Sequence, residues 1–151
     1  GDIAVFQIST PAMVQVSGFL ARLFEIFRQH EIVVDLITTS EAGVSCTIDG
    51  AQLMRLRQAM PSLESLGECV VHESRAIVSL VGDDLHATPQ VLSRMIRALE
   101  SATTQLDMVS LASTDVNVSC VVPAADFLPC MRAVHEEFWP SAAERARAVG
   151  E

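Results

Sequence analysis

The sequence predicts an α+β protein of two tandem βαββαβ modules, each an antiparallel sheet with helices on one face, the second lacking its last strand. Three observations carry this. The order strand, helix, strand, strand, helix can be read twice along the chain. Apolar residues recur at helical spacing in matching places of both halves, and the β-rich runs between them are short and bounded by turn residues. Alternation of this kind stacks helices on one side of a sheet.

The repeat is explicit. Ala4-Val5-Phe6-Gln7-Ile8 aligns with Ala76-Ile77-Val78-Ser79-Leu80, an offset of 72 residues. The same offset carries Leu20, Leu23, Phe24 and Phe27 onto Leu92, Met95, Ile96 and Leu99, and Asp35-Leu36-Ile37-Thr38 onto Asp107-Met108-Val109-Ser110. After two further residues, Val44-Ser45-Cys46 meets Val118-Ser119-Cys120. Four segments in one order indicate a duplicated unit.

In the first module, residues 3–8 form a strand. Ser17 is read as the N-cap of a helix reaching about His30, with Leu20, Leu23, Phe24 and Phe27 as its apolar stripe. Strands follow at 32–39 and 44–48, separated by a turn at Glu41-Ala42-Gly43. A second helix starts at Asp49 or Gly50, turns Leu53, Leu56 and Met60 inward, and is expected to end at Pro61. Residues 67–73 supply a fourth strand. The second module runs through a strand at 76–81, a helix from Thr88-Pro89 to Ser101, strands at 106–111 and 116–122, and a helix ending at Phe138. Pro129 fits that helix only if Asp126 caps it and leaves the proline in the first turn. The module boundaries are set at 2–74 and 75–138. Residues 139–151, rich in alanine and charge, are expected to be a frayed helix or disordered tail. The fourth strand of the second module is therefore expected to come from elsewhere, from residues preceding Gly1.

Composition narrows the function. Ten Lys+Arg stand against 19 Asp+Glu, a net charge of −9, which argues against nucleic acid as a partner. No apolar run is long enough to span a membrane. Gly1-Asp2-Ile3 lacks the features of a signal peptide, and without an initiator methionine the chain is expected to be an excerpt of a longer cytoplasmic protein. Cys46, Cys69, Cys120 and Cys130 form no zinc-spaced set and are read as buried free thiols. No phosphate loop or nucleophile–base pair stands out, and Gly82-Asp83-Asp84 is read as a strand-to-helix turn, so no catalytic or metal-binding residue is expected.

A small polar ligand is the remaining possibility. The loop Met13-Val14-Gln15-Val16 leads into Ser17-Gly18-Phe19-Leu20, where first-turn N–H groups suit a carboxylate. Asp35 interrupts the apolar run Val33-Val34-Asp35-Leu36-Ile37, and Thr38-Thr39-Ser40-Glu41 follows with hydroxyls and a carboxylate. Taken singly, Ser17 is ordinarily a cap, Asp35 a solvated residue and Met13 core filler. As a set they describe a site for a free amino acid.

Ser17-Gly18-Phe19-Leu20-Ala21 followed by Val34-Asp35-Leu36-Ile37-Thr38-Thr39-Ser40-Glu41 resembles the first ACT module of aspartokinases, particularly lysine-sensitive ones. Ala76-Ile77-Val78-Ser79-Leu80-Val81-Gly82, Val116-Asn117-Val118-Ser119-Cys120-Val121-Val122-Pro123 and His135-Glu136-Glu137-Phe138 agree with the second. The resemblance implies ferredoxin-like ACT modules that form a homodimer and act on a kinase domain N-terminal in the same chain. That kinase would phosphorylate aspartate with ATP and Mg; no cofactor is implied for the modules themselves. It further implies an end-product amino acid as effector, lysine first and threonine next. The contacts carried over are Met13, Ser17, Gly18, Phe19, Leu20, Val34, Asp35, Thr39, Ser40 and Glu41, with Asp35 taking the ammonium group. Val16 departs from the family pattern by replacing a hydroxyl residue. A stand-alone amino-acid sensor and a structural dimerisation module are the rival readings.

Overall fold

The computed structural model describes residues 2–10, 17–82, 85, 90–103, 105–111 and 117–139. The chain divides into two compact units, Gly1–Ala76 and Ile77–Glu151.

The first unit contains β1 (Ile3–Ser9), α1 (Phe19–Gln29), β2 (Val34–Thr39), β3 (Gly43–Asp49), α2 (Leu53–Glu64) and the first half of β4 (Glu68–Val81). Its strand order is β2-β3-β1-β4, with antiparallel pairing throughout. Phe6 and Ile8 of β1, and Val44, Cys46 and Ile48 of β3, alternate into a core closed by Leu23 and Phe27 of α1 and Leu56, Ala59 and Leu63 of α2. Phe6 and Phe27 meet edge to face at 5.6 Å, the geometry that the ring quadrupoles favour.

Three local expectations are corrected. Helix α2 does not end at Pro61 but runs through it to Glu64. Proline there removes one backbone hydrogen bond, but the extra turn brings Leu63 into the core, where it is fully buried; full burial of a leucine contributes about 1.5–3 kcal/mol. Met60 and Leu53 pack only at the edge of that core. The expected strands at 67–73 and 76–81 are one strand, β4. Opposite β1 its register slips by one residue between His72 and Arg75, and Ser74 takes a left-handed φ of 56°. This β-bulge changes the parity of the strand, so that Cys69 and Val71 serve the first core and Val78 and Leu80 the second.

The second unit contains the rest of β4, α3 (Val91–Glu100), β5 (Met108–Leu111), β6 (Asn117–Pro123) and α4 (Phe127–Phe138). Strand order is β4-β6-β5, three strands among the described residues. Met95 and Leu99 of α3 and Cys130 and Val134 of α4 close on Val118, Cys120 and Val122. Helix α3 begins three residues later than Thr88, and Thr88 and Pro89 lie outside the described residues. Asp126 holds the N-cap position of α4 and Pro129 falls in the first turn, but its carboxylate makes no cap bond. It accepts instead from the Thr103 hydroxyl at 2.7 Å. Of the residues assigned to a tail, 139–151, all but Trp139 also lie outside the described set.

All four cysteines are free, three of them fully buried. Burial pushes the Cys46 thiol up to about 12 and the Cys120 thiol up to about 11. No helix among the described residues is long and apolar enough to cross a membrane.

Candidate functional site

The start of α1 differs from its sequence reading. Ser17 does not cap the helix; the N-cap position belongs to Gly18, in a left-handed conformation with φ 84°, and no side chain accepts from the first turn. Glycine enters that region without the steric cost a Cβ imposes, and the space a Cβ would fill is open. Phe19 is buried in the core and Leu20 is partly exposed, so Gly18 sits between an anchored helix and an exposed Ser17. Among the described residues no side chain caps the first turn of α1, the condition under which a helix start attracts an anion. Met13 and Val16 lie outside the described residues.

Strand β2 carries the second group. Between Val34, paired with Ile48, and Ile37, paired with Cys46, it has one residue more than β3. Asp35 and Leu36 form this bulge, which is stabilised by the Leu36 N–H donating to the fully buried Thr47 hydroxyl at 2.8 Å. Bulges re-aim side chains, and Asp35 is exposed with no hydrogen-bond or ion-pair partner among the described residues. It shares a cleft of about 370 Å³ with Val33, Val34, Thr47, Asp49 and Gln52. The Gln52 amide spans the Val33 backbone, accepting from its N–H at 2.7 Å and donating to its carbonyl at 3.3 Å. Asp49 is engaged by the Ala51 N–H, so Asp35 is the carboxylate of this cleft that remains unpaired.

Thr39, Ser40 and Glu41 stand at the other end of β2. The Ser40 N–H donates to the Gly43 carbonyl at 2.8 Å, closing the β2–β3 turn. Thr39 and Ser40 line a second cleft, of about 240 Å³, with Gln7, Ser9, Thr38, Ser45 and Glu68. The sequence-predicted residues are thus brought to three places: the α1 start, the Asp35 cleft and the Thr39–Ser40 cleft. Gly18, Phe19 and Leu20 line neither cleft. Gln7, Ser45 and Glu68 escaped the sequence reading because alternating polar residues on a strand read as a solvated face. Their alignment with Ser79 and Ser119 in the repeat was the available signal for Gln7 and Ser45. Among the described residues no cluster of His, Cys, Asp and Glu has the grouping of a metal site.

A profile for the ACT domain matches residues 7–61 and again 78–138, in agreement with the two units and their shared strand–helix order. The chain belongs to the ACT domain family and carries two tandem copies. Across both copies it is similar to the regulatory region of aspartokinases. The aspartokinase of Saccharomyces cerevisiae is 33% identical over 137 residues, covering 89% of this chain and 26% of that protein. A putative C-terminal regulatory domain of aspartate kinase from Porphyromonas gingivalis superposes with a TM-score of 0.77 at 28% identity, over 91% of this chain and 92% of that one. E. coli aspartokinase III in complex with lysine and aspartate matches with a TM-score of 0.77 at 27% identity, over 91% of this chain and 31% of that one. The chain spans about a quarter of the length of the curated relatives it matches.

Proposed function

We propose that this chain is the feedback sensor of an aspartate kinase: it binds an end-product amino acid, lysine first and threonine next, and thereby restrains phosphorylation of aspartate. The observation that carries the reading is that the first unit holds both a helix start with no side-chain cap and, on a bulge, a carboxylate with no partner among the described residues. The first suits a carboxylate and the second an ammonium group, the two ends of an amino acid. Lysine comes first because the similar E. coli enzyme is known with lysine bound. Two copies of the chain would complete the site, with Ser40 and Glu41 of one facing the Gly18 and Asp35 region of the other. Effector binding would favour one arrangement of the modules, and that arrangement would disfavour the active kinase.

Thermal unfolding with lysine, threonine and methionine in parallel tests this. At about 100 times its dissociation constant a ligand stabilises the native state by about 2.7 kcal/mol. Lysine is expected to raise the midpoint in the wild-type chain and to leave Asp35→Asn unchanged. A rise of equal size in Asp35→Asn would sink the assignment of the ammonium to this carboxylate. No rise with any of the three would sink the sensor.

A further inference from the structure

Apart from Thr39 and Ser40, which also line it, the cleft around Gln7 is not accounted for by that function. Phe6 and Ile8, Val44 and Cys46, and Cys69 and Val71 point into the first core, so Gln7, Ser45 and Val70 face away from the helices. Register places them in one row: Thr38 opposite Ser45, Ser45 opposite Gln7, and Gln7 opposite Val70. Ser9 and Glu68, paired to each other, stand in the next row. The chain closes tightly at this end, where a Cβ on Gly67 would lie only 2.5 Å from the Ser9 carbonyl. Gln7, Thr38 and Ser45 are half-buried, yet their side chains have no partner among the described residues, and neither does Glu68.

The repeat shows what this row does when it is purely structural. In the second unit Ser79 and Ser119 occupy the places of Gln7 and Ser45, and their hydroxyls bond each other at 2.8 Å. Among the described residues no buried side-chain polar atom lacks a partner, so the unpaired polar atoms of the first unit's row are open to solvent or to a ligand. In the first unit the same row is left open above a cleft of about 240 Å³.

We infer that this cleft is a second small-molecule site, distinct from the one built on Gly18 and Asp35, for a compact ammonium compound that carries a hydroxyl. Among the described residues its lining holds one carboxylate, Glu68, and no Lys, Arg or His, so it favours a cation and repels phosphates and other anions. Gln7, Thr38 and Ser45 both donate and accept, which matches a hydroxyl. Val70 provides the apolar side. The volume suits a molecule of amino-acid size and not a nucleotide.

Chemical-shift titration of the full chain tests the site, with ethanolamine and L-serine in separate arms and propylamine as the control without a hydroxyl. Ethanolamine or L-serine is expected to shift the Gln7 side-chain amide and the Thr38, Ser45 and Glu68 amides saturably. The tighter of the two tells whether a simple amine or an amino acid is the source. Glu68→Gln is expected to weaken binding by about tenfold or more, the worth of a charge-assisted hydrogen bond, while Asp35→Asn leaves it unchanged. Glu68 is exposed and unpaired, so its substitution leaves folding intact, as the melting curve without ligand will show. The inference is overturned if neither probe shifts these residues saturably, if Glu68→Gln binds as well as wild type, or if propylamine binds equally. Failure of the feedback-sensor reading would appear elsewhere, in the lysine response at Gly18, Leu20 and Asp35.

Discussion

At the start of its first helix the first unit has Gly18 and the second has Gln90, 72 residues on, and both adopt the left-handed conformation, with φ of 84° and 60°. The frame inherited from the duplication is therefore finer than the strands and helices, because it includes the hinge at which the chain enters the helix. What differs is the use of polar groups. The second unit pairs them internally: Ser79 with Ser119, Thr103 with Asp126, and Arg94 with Glu137 at 2.7 Å while its guanidinium lies over the Phe138 ring. The first unit also pairs side chains, Arg57 with Glu73 and Arg28 with Glu25 at 2.7 Å each, but the side chains of Gln7, Thr38, Ser45, Asp35 and Glu68 have no partner among the described residues. Thr47 and Val121 show the same divergence in miniature. Both are fully buried, but only the first unit has a hydroxyl there, holding the bulge that exposes Asp35. On the function proposed above, one copy would serve as scaffold and the other would present these groups to a ligand.

The largest expected effect probes whether the shared frame also means shared stability. Phe27 and Leu99 are matched positions at the centre of their cores, both buried to 1% or less. Phe27→Ala is expected to cost about 3–5 kcal/mol and Leu99→Ala about 2–5 kcal/mol. Urea unfolding followed by a probe in each unit will show whether each substitution moves both transitions or one. A cost under about 1 kcal/mol at either position would mean that its core is not what holds that unit together.

A second effect should separate the units by pH. The chain has no tyrosine and its ten basic residues are all arginine, so between pH 9 and 12 the thiols are the side chains that titrate. Cys46 is held protonated up to about 12 and Cys120 up to about 11 by burial, against an ordinary value of 9.0. Over that interval the unfolded chain binds fewer protons than the folded one. Stability is therefore complete below pH 9 and falls as pH rises, by at most about 1.4 kcal/mol per pH unit for each thiol. Urea midpoints at pH 8, 9 and 10 should show the fall, and Cys46→Ala or Cys120→Ala should each reduce its slope. An unchanged slope in both variants would assign the alkaline sensitivity to something other than these thiols.

The repeat itself made the fold legible in the sequence: the recurring spacing of apolar residues placed the strands and helices of the described chain to within a few residues, except that β4 was read as two strands. Features that depend on a single extra residue were not legible. Alternation along β2 and β4 looks the same with or without a bulge, so Asp35 read as an interruption and Ser74-Arg75 as a break between strands. Pro61 read as a helix end because the burial of Leu63 beyond it is tertiary. Asp35, Thr39 and Ser40 stood out in the sequence as candidate ligand contacts, but their separation into two clefts depends on register. Ser17 misled for a related reason. A serine before an apolar stripe is the ordinary cap signal, whereas the left-handed residue that starts the helix is revealed only by its φ.

That hinge gives the smallest expected effect and the sharpest test of divergence. Gly18→Ala would force a Cβ into the left-handed region, at a cost of about 1–2 kcal/mol, although the site around it is open and no clash adds to the strain. Gln90→Gly removes the same strain from the second unit and should stabilise it by up to about 1 kcal/mol. Thermal melts of the two variants should therefore move in opposite directions. If Gly18 also serves a ligand, Gly18→Ala will lose its lysine response beyond what its lower midpoint explains, because a distorted entry re-aims the N–H groups of the first turn. Equal small losses in both variants would mean that the left-handed entry carries no strain at Gln90, leaving Gly18 as a residue selected for the approach of a ligand rather than for its backbone.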